Sequence, residues 1–332
     1  MRKLAAILFA SFFLVSLALA AAAPARAQSS GKVWRLGVLT LPTSLASPIY
    51  QTFPQVVFPE LAKHGFVEGQ NLVIEMRIGP PDKLPELARE LVATRPDAVI
   101  AVSAWAIRAV KEASSTMPII GSFIGEDPIA AGFAVSLARP GGSITGIVML
   151  APELDAKRLD VLHVAVPKAH RIGALIRSMQ LDGRNLEEVK KAASQMNLDL
   201  LTFYAPASDE FPPAFVSMRE AGVEALAIAS VPEFASNAAA LAALALDARL
   251  PTVCEWDWMA QEGCLLGYGP DFVELRRRTA DYVVRIFHGA PPGELPLEQP
   301  THFKFSVNLK TAGALGLAIP PSILARADEV IE

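Results

Sequence analysis

Short apolar runs of strand type alternate with stretches of helical periodicity along almost the whole chain, and this alternation restricts the fold most. Runs over 33–39, 71–77, 98–102, 117–123 and 144–150 are rich in valine, isoleucine and leucine. Between them, 48–64, 84–94 and 105–114 place apolar residues at helical spacing. Leu84, Leu87, Ala88 and Leu91, for example, share one face. The first helix stops at Gly65, the usual residue just past a helix C-terminus. Strands that alternate with helices of about 10–15 residues need crossover connections, and crossovers build parallel sheets.

The same rhythm then restarts. Helices are expected over 156–165, 185–196, 211–221 and 235–249, with strands over 171–177, 198–204, 225–228, 251–254 and 263–267. Two α/β runs of similar size predict two similar Rossmann-like lobes with parallel sheets, although no repeat of fixed period is visible. Length agrees, because a chain of 332 residues outgrows a single hydrophobic core. The remainder reads as a helix over 271–288 stopped by Gly289, a Pro-rich stretch over 291–300, a strand over 302–309 and a short helix from 311.

Arg2 and Lys3 precede an apolar run from Leu4 to Ala23, and Ala25-Arg26-Ala27 then offers small residues at both positions before a cut. This layout predicts a signal peptide over 1–27, cleaved before Gln28, and export to the periplasm. The competing reading is a membrane anchor, since the run approaches spanning length. The polar Gln28-Ser29-Ser30-Gly31 linker favours release. Removal of Arg2, Lys3 and Arg26 takes the formal charge from −4 to −7. A mildly acidic exported protein is a poor partner for nucleic acid or anionic lipid. The two cysteines, Cys254 and Cys264, are too few for a closed zinc site. Buried thiols are the simpler expectation for them, and an oxidising compartment also permits a bridge.

One segment carries a resemblance. Glu126-Asp127-Pro128-Ile129-Ala130-Ala131-Gly132 is followed by Ser136-Leu137-Ala138-Arg139-Pro140-Gly141-Gly142-Ser143-Ile144-Thr145-Gly146, and upstream lies Gly65-Phe66-Val67-Glu68-Gly69-Gln70-Asn71-Leu72. In this order the motifs resemble the ABC transporter substrate-binding protein family that includes the tryptophan/tyrosine-type binding proteins. The similarity runs from about Arg35 to Ile331. It implies an α/β, type I periplasmic-binding fold whose two lobes are joined by a three-stranded hinge, with crossings near Gly146, Tyr268 and Pro296. Lobe 1 would then comprise 31–146 plus 268–297, and lobe 2 would comprise 147–267 plus 298–332. A small-molecule ligand, an ABC permease in the inner membrane, a monomeric state and no cofactor follow as expectations.

In open parallel sheets the ligand crevice lies beyond the carboxyl ends of the strands. That rule selects Thr40, Ser103, Ala104, Trp105, Ser122, Asp127, Ser178, Ser230, Glu233, Trp256, Asp257 and Tyr268. Ser103-Ala104-Trp105 follows a strand and opens a helix, where exposed amides suit a carboxylate. Equally, Ser103 would simply cap that helix while Trp105 packs on the surface. Related chains more often carry a Gly-Thr type sequence here, so Trp105 is a departure. Glu255-Trp256-Asp257-Trp258 would supply a stacking wall and a carboxylate for an amino group, with Trp256 nearer the strand end. The alternative puts one tryptophan in the core and uses Asp257 as a helix cap. Asp127-Pro128 resembles the family's cleft-lining Asp-Pro, or else is a turn whose aspartate holds backbone amides. Tyr268 matches a family Tyr-Gly and would either bond ligand or brace the hinge. Ser178, Ser230 and Glu233 rest on strand-end position alone.

No Gly-x-Ser-x-Gly elbow, phosphate loop, dinucleotide Gly pattern or His-Glu-x-x-His occurs. The expectation is a binding protein and not an enzyme. A sensory subunit for a membrane receptor and a periplasmic α/β hydrolase are the rivals. A two-lobed repressor would need a basic DNA-binding head where the signal peptide stands.

Overall fold

A computed structural model describes residues 31–41, 48–149, 151–177 and 179–332. The expected signal peptide and Ser178 lie outside these residues. Among the described residues no helix is long and apolar enough to cross a membrane.

Residues Trp34–Glu332 form one unit built on two sheets. The first sheet holds β1 (Trp34–Thr40), β2 (Leu72–Ile78), β3 (Ala98–Val102), β4 (Ile119–Ile124), β5 (Ile144–Val148) and β11 (Leu297–Glu298), in the order β11-β5-β4-β3-β1-β2. Every pairing in it is parallel. The second holds β6 (Arg171–Ile176), β7 (Asp199–Tyr204), β8 (Ala225–Ile228), β9 (Thr252–Cys254), β10 (Leu266–Pro270), β12 (Phe303–Asn308) and β13 (Glu329–Ile331), in the order β13-β12-β10-β9-β8-β6-β7. It is parallel except where β10 meets β12. Two α/β lobes with mostly parallel sheets are therefore present, as the alternation predicts.

The strand sequences explain this layering. β3 reads Ala-Val-Ile-Ala-Val and is buried at every position, as befits a strand covered by helices on both faces. The expected strand over 263–267 lies further on, at Leu266–Pro270, because Gly263 and Cys264 end the preceding turn. Tyr268 consequently stands inside the second sheet, and the chain returns to the first only after it. The expected helix over 235–249 divides at Asn237 into Pro232–Ser236 and Ala238–Asp247. The helical segment over 48–63 is π-helical at Phe53–Val57.

The polypeptide passes between sheets three times: after β5, after β10 and between β11 and β12. The helix Phe272–Phe287 starts just beyond the second passage and packs against the first sheet. Asp271 caps it, its Oδ1 accepting from the amides of Val273 (3.0 Å) and Glu274 (3.1 Å). Its buried stripe runs through Phe272, Leu275, Thr279, Val283 and Ile286, at helical spacing.

The Pro140-Gly141-Gly142 turn has a packing role. Gly141, at φ +79°, donates its amide to the carbonyl of Gly293 at 3.0 Å. Thr145 Oγ1 donates to the carbonyl of Leu295 at 2.9 Å. The Tyr282 hydroxyl reaches the carbonyl of Pro296 at 2.5 Å. The turn thus receives the Pro-rich segment just before β11 completes the first sheet.

Cys254 and Cys264 are joined in a disulfide. This corrects the simpler expectation of two buried thiols. The bridge links the end of β9 to the residues just before β10 and closes the turn that carries Glu255 to Trp258.

Candidate functional site

The carboxyl ends of the two sheets meet at an aromatic cluster. Phe123 is the penultimate residue of β4 in the first sheet, and Trp256 follows β9 of the second. The Phe123 ring stacks on Phe272 at 5.1 Å and 9° between planes. Trp256 stands edge-on to both, 4.8 Å from Phe272 and 5.8 Å from Phe123. Edge-to-face contacts of this kind add about 0.5–1.5 kcal/mol beyond the area they bury.

Beneath the cluster on the first-sheet side lies Arg276, fully buried. Its guanidinium lies 4.3 Å from the Phe53 ring, 4.7 Å from Phe123 and 5.1 Å from Phe272. Nε donates to Thr52 Oγ1 and Nη1 to Ser122 Oγ, both at 3.1 Å. Burial pulls this arginine down to about 9, and the aromatic faces offset part of that cost through their quadrupoles. Ser122 also meets Thr279 Oγ1 at 3.4 Å.

On the second-sheet side the centre is Arg158, 2% exposed, from the helix Ala151–Ala165. Its Nε donates to the carbonyl of Tyr268 at 2.7 Å and Nη2 to that of Glu255 at 3.2 Å. Nη1 reaches Asp155 Oδ1 and Ser230 Oγ, each at 2.6 Å. Ser230 in turn donates to Asp155 Oδ1 at 3.2 Å. One guanidinium therefore ties together the residues just past β8 and β9 and the middle of β10. Such charge-assisted bonds in a dry setting are strong and directional.

Glu255 is buried beside this network, and its carboxyl is pushed up to about 7. Desolvation is the main cause; Asp155 adds to it, while Arg158 and a hydrogen bond from Trp256 oppose it. An unfolded glutamate releases its proton near 4.5, whereas folded Glu255 keeps it to about 7. The folded state then binds more protons across that window, so this group's contribution falls as pH rises through it. The limit is roughly 3 kcal/mol, reduced where Arg158 relaxes. Urea denaturation at pH 5 and pH 7.5 should show that loss in the native protein, and Glu255→Gln should flatten it. Equal slopes in both proteins would place Glu255 in contact with solvent.

The other sequence-selected residues divide into groups. Ser103 sits at φ +96°, ψ 158°, a region that glycine favours, and its Oγ accepts from the Ala106 amide at 3.4 Å. It caps the helix Ala104–Ala113. Phe123, on the neighbouring strand, is also left-handed at φ +62°. Backbone held this way costs about 1–3 kcal/mol per residue and concentrates at functional sites. Trp105 is 40% exposed, with Ala104 half-buried beside it. Ser230 and Trp256 lie in the two networks above, and Ser122 lies under Arg276.

Asp127 is exposed, and its Oδ1 accepts from the amides of Ile129 (2.9 Å) and Ala130 (3.3 Å), holding its own turn. Glu233 pairs with Arg177 at 3.1 Å. The Tyr268 ring stacks on Phe303 at 6.2 Å and stands edge-on to Phe305, so it braces β10 against β12. Asp257 is half-buried, and desolvation raises its carboxyl against the pull of Lys304. Thr40 is buried at the end of β1. Among the described residues no group of three or more His, Cys, Asp or Glu could hold a metal ion.

Strand-end reasoning missed Arg158, Asp155 and Arg276. The sequence did hold a signal for both arginines. Arg158 falls between Leu154 and Leu162, and Arg276 between Phe272 and Ala280, on the apolar stripes of their helices. A cation on such a stripe is buried only when partners await it.

Comparison with known proteins agrees with this architecture. The family model described as ABC transporter substrate binding protein matches residues 56–331. A tyrosine-binding protein of Clostridioides difficile (strain R20291) is 22% identical over 260 residues, covering 77% of this chain and 74% of the relative. The crystal structure of an ABC domain from Streptococcus pneumonia in complex with L-Trp is 26% identical, with a TM-score of 0.80 over 90% of this chain and 99% of that one. A conserved domain protein from Vibrio cholerae superposes with a TM-score of 0.82 at 24% identity, covering 90% and 100% of the two chains. The fold is of the type I periplasmic-binding class.

Proposed function

This chain belongs to the family of ABC transporter substrate binding proteins, and from that membership we propose that it captures an aromatic amino acid between its lobes for an import permease. The observation that carries the ligand class is the likeness over 90% of the chain to a structure holding L-Trp. The ligand leaves chemically unaltered, and the permease supplies the energy for transport. Capture takes place outside the cytoplasm, after removal of the leader.

The physical device is a population shift. An open arrangement of the lobes predominates without ligand, and a ligand touching both strand-end surfaces favours the closed one by its differential affinity. Three chain passages between the sheets restrict such motion to opening and closing. A dissociation constant near micromolar, about −8 kcal/mol, suits capture followed by release.

Thermal denaturation of the mature protein against the twenty amino acids tests this. A ligand at about 100 times its Kd adds roughly 2.7 kcal/mol to the folded state, on the order of 4 °C for a protein this size. L-Trp or L-Tyr should produce that rise, and mass spectrometry should recover it unchanged. A flat response to all twenty would end the amino-acid reading.

A further inference from the structure

Two tryptophans stand just past strand ends, Trp105 and Trp256, and the fold treats them oppositely. Trp256 is sealed at 4% exposure against Phe123 and Phe272. Trp105 stays 40% exposed in the first turn of the helix Ala104–Ala113, directly beyond the carboxyl end of β3. The strand order gives that position its meaning. Read from one edge, the first sheet runs β2-β1-β3-β4-β5. The chain therefore builds outward from β1 in one direction and, from β3 onward, in the other. In sheets of this kind ligands sit outside the carboxyl ends at the point of reversal, here between β1 and β3. The backbone at that point is firmly set. Ser103, at φ +96°, donates its amide to the carbonyl of Ser122 at 3.0 Å, and its Oγ accepts from Ala106. The chain thus turns from strand to helix within one residue, and the first-turn side chain is left at the sheet edge. Arg108, one turn further on, is engaged by Glu126 and by the Phe133 ring.

We propose that the ligand's ring stacks on Trp105, so that this indole, and not Trp256, ranks ligands by their side chain. A flat indole face takes a second ring in an offset stack, with centroids about 4.5–7 Å apart, and matches its quadrupole. An aliphatic side chain of similar size gains burial on the same face but no such match. Covering the exposed indole also removes its apolar surface from water, which adds to the attraction. Trp256 then belongs to the frame that joins the lobes. This inference rests on the aromatic amino-acid reading above and names the residue that carries it.

Isothermal titration of the full mature chain with L-Trp, L-Tyr and L-Leu tests it, with thermal denaturation of each variant as a control for folding. The native protein should bind L-Trp or L-Tyr at least about tenfold tighter than L-Leu. Trp105→Ala should weaken the preferred ligand at least about tenfold and move Tm far less than Trp256→Ala does; Trp105→Leu serves instead if that variant does not fold. Trp105→Phe keeps a ring and should retain most of the affinity. Indole fluorescence, excited where tyrosine does not absorb, gives a second readout. L-Tyr should shift the native emission to the blue as it covers the exposed ring, and Trp105→Phe should abolish that shift while still binding. Native-like affinity in Trp105→Ala, or an undiminished shift in Trp105→Phe, would overturn the stacking role while leaving capture intact. Failure of the native protein to bind either aromatic ligand would overturn the amino-acid reading and this inference with it.

Discussion

Trp256→Ala is expected to destabilise the folded protein by about 3–5 kcal/mol, the cost of truncating a large aromatic in a packed interior. For a chain of this size the melting temperature should fall on the order of 6 °C. The basis is that Trp256 is only 4% exposed and stands edge-on to Phe123 and Phe272. Phe123 lies in the first sheet and Phe272 on the helix packed against it, while Trp256 leads out of the second, so the indole bridges the lobes. Trp256→Phe should recover part of the loss by keeping a ring in the cluster. Calorimetry distinguishes this role from that of an exposed stacking wall. A melting temperature within 1 °C of the native value, together with a large loss of L-Trp affinity, would show that the ring meets ligand and not its neighbours.

Gly269→Ala should cost roughly 4 kcal/mol, more than the 1–3 kcal/mol usual for an added methyl in a core. A Cβ at Gly269 would lie 2.1 Å from the carbonyl oxygen of Glu255, and one at Gly267 would lie 2.3 Å from that of Trp256. Both glycines point to one face of β10, and the turn carrying Glu255 to Asp257 lies directly across that face. The obstacle is backbone, so no rotamer change relieves it. Nor can the Glu255 carbonyl withdraw cheaply, since Arg158 Nη2 donates to it at 3.2 Å. Gly313→Ala is the contrast: it sits exposed in the helix Leu309–Leu315 with open space around its Cβ position. Alanine there should stabilise by about 0.5–1 kcal/mol through helix propensity. Urea denaturation of both variants gives the comparison, and a Gly269→Ala protein as stable as native would mean that the turn stands clear of β10.

These two residues show where sequence reading succeeds. Trp256 was legible as a strand-end candidate because the expected strand over 251–254 runs directly into the aromatic and acidic Glu255-Trp256-Asp257-Trp258. Its burial was not legible, since the rings that enclose it come from positions far away in the chain. Tyr268 was legible only as a match to a family Tyr-Gly; the carbonyls that exclude side chains at Gly267 and Gly269 come from the turn before them. The disulfide follows the same pattern. Ten residues of separation leave the distance between Cys254 and Cys264 open, and only the return of β10 beside β9 brings them together.

The buried arginines mark the limit most clearly. Arg158 reaches Ser230 and Tyr268 across 72 and 110 residues of sequence, and Arg276 reaches Ser122 and Thr52 across 154 and 224. Hydrophobic periodicity is a local property, written within two turns of helix or four residues of strand. By itself, therefore, the chain determined its alternation of strand and helix, its parallel sheets, its two lobes and the strand ends where a ligand would gather. Only the tertiary structure decided which polar groups are sealed, which rings meet across the lobes and which cavity remains. Those outcomes depend on the energy of contacts between distant segments, and a buried charge is tolerated only where the fold delivers partners to it.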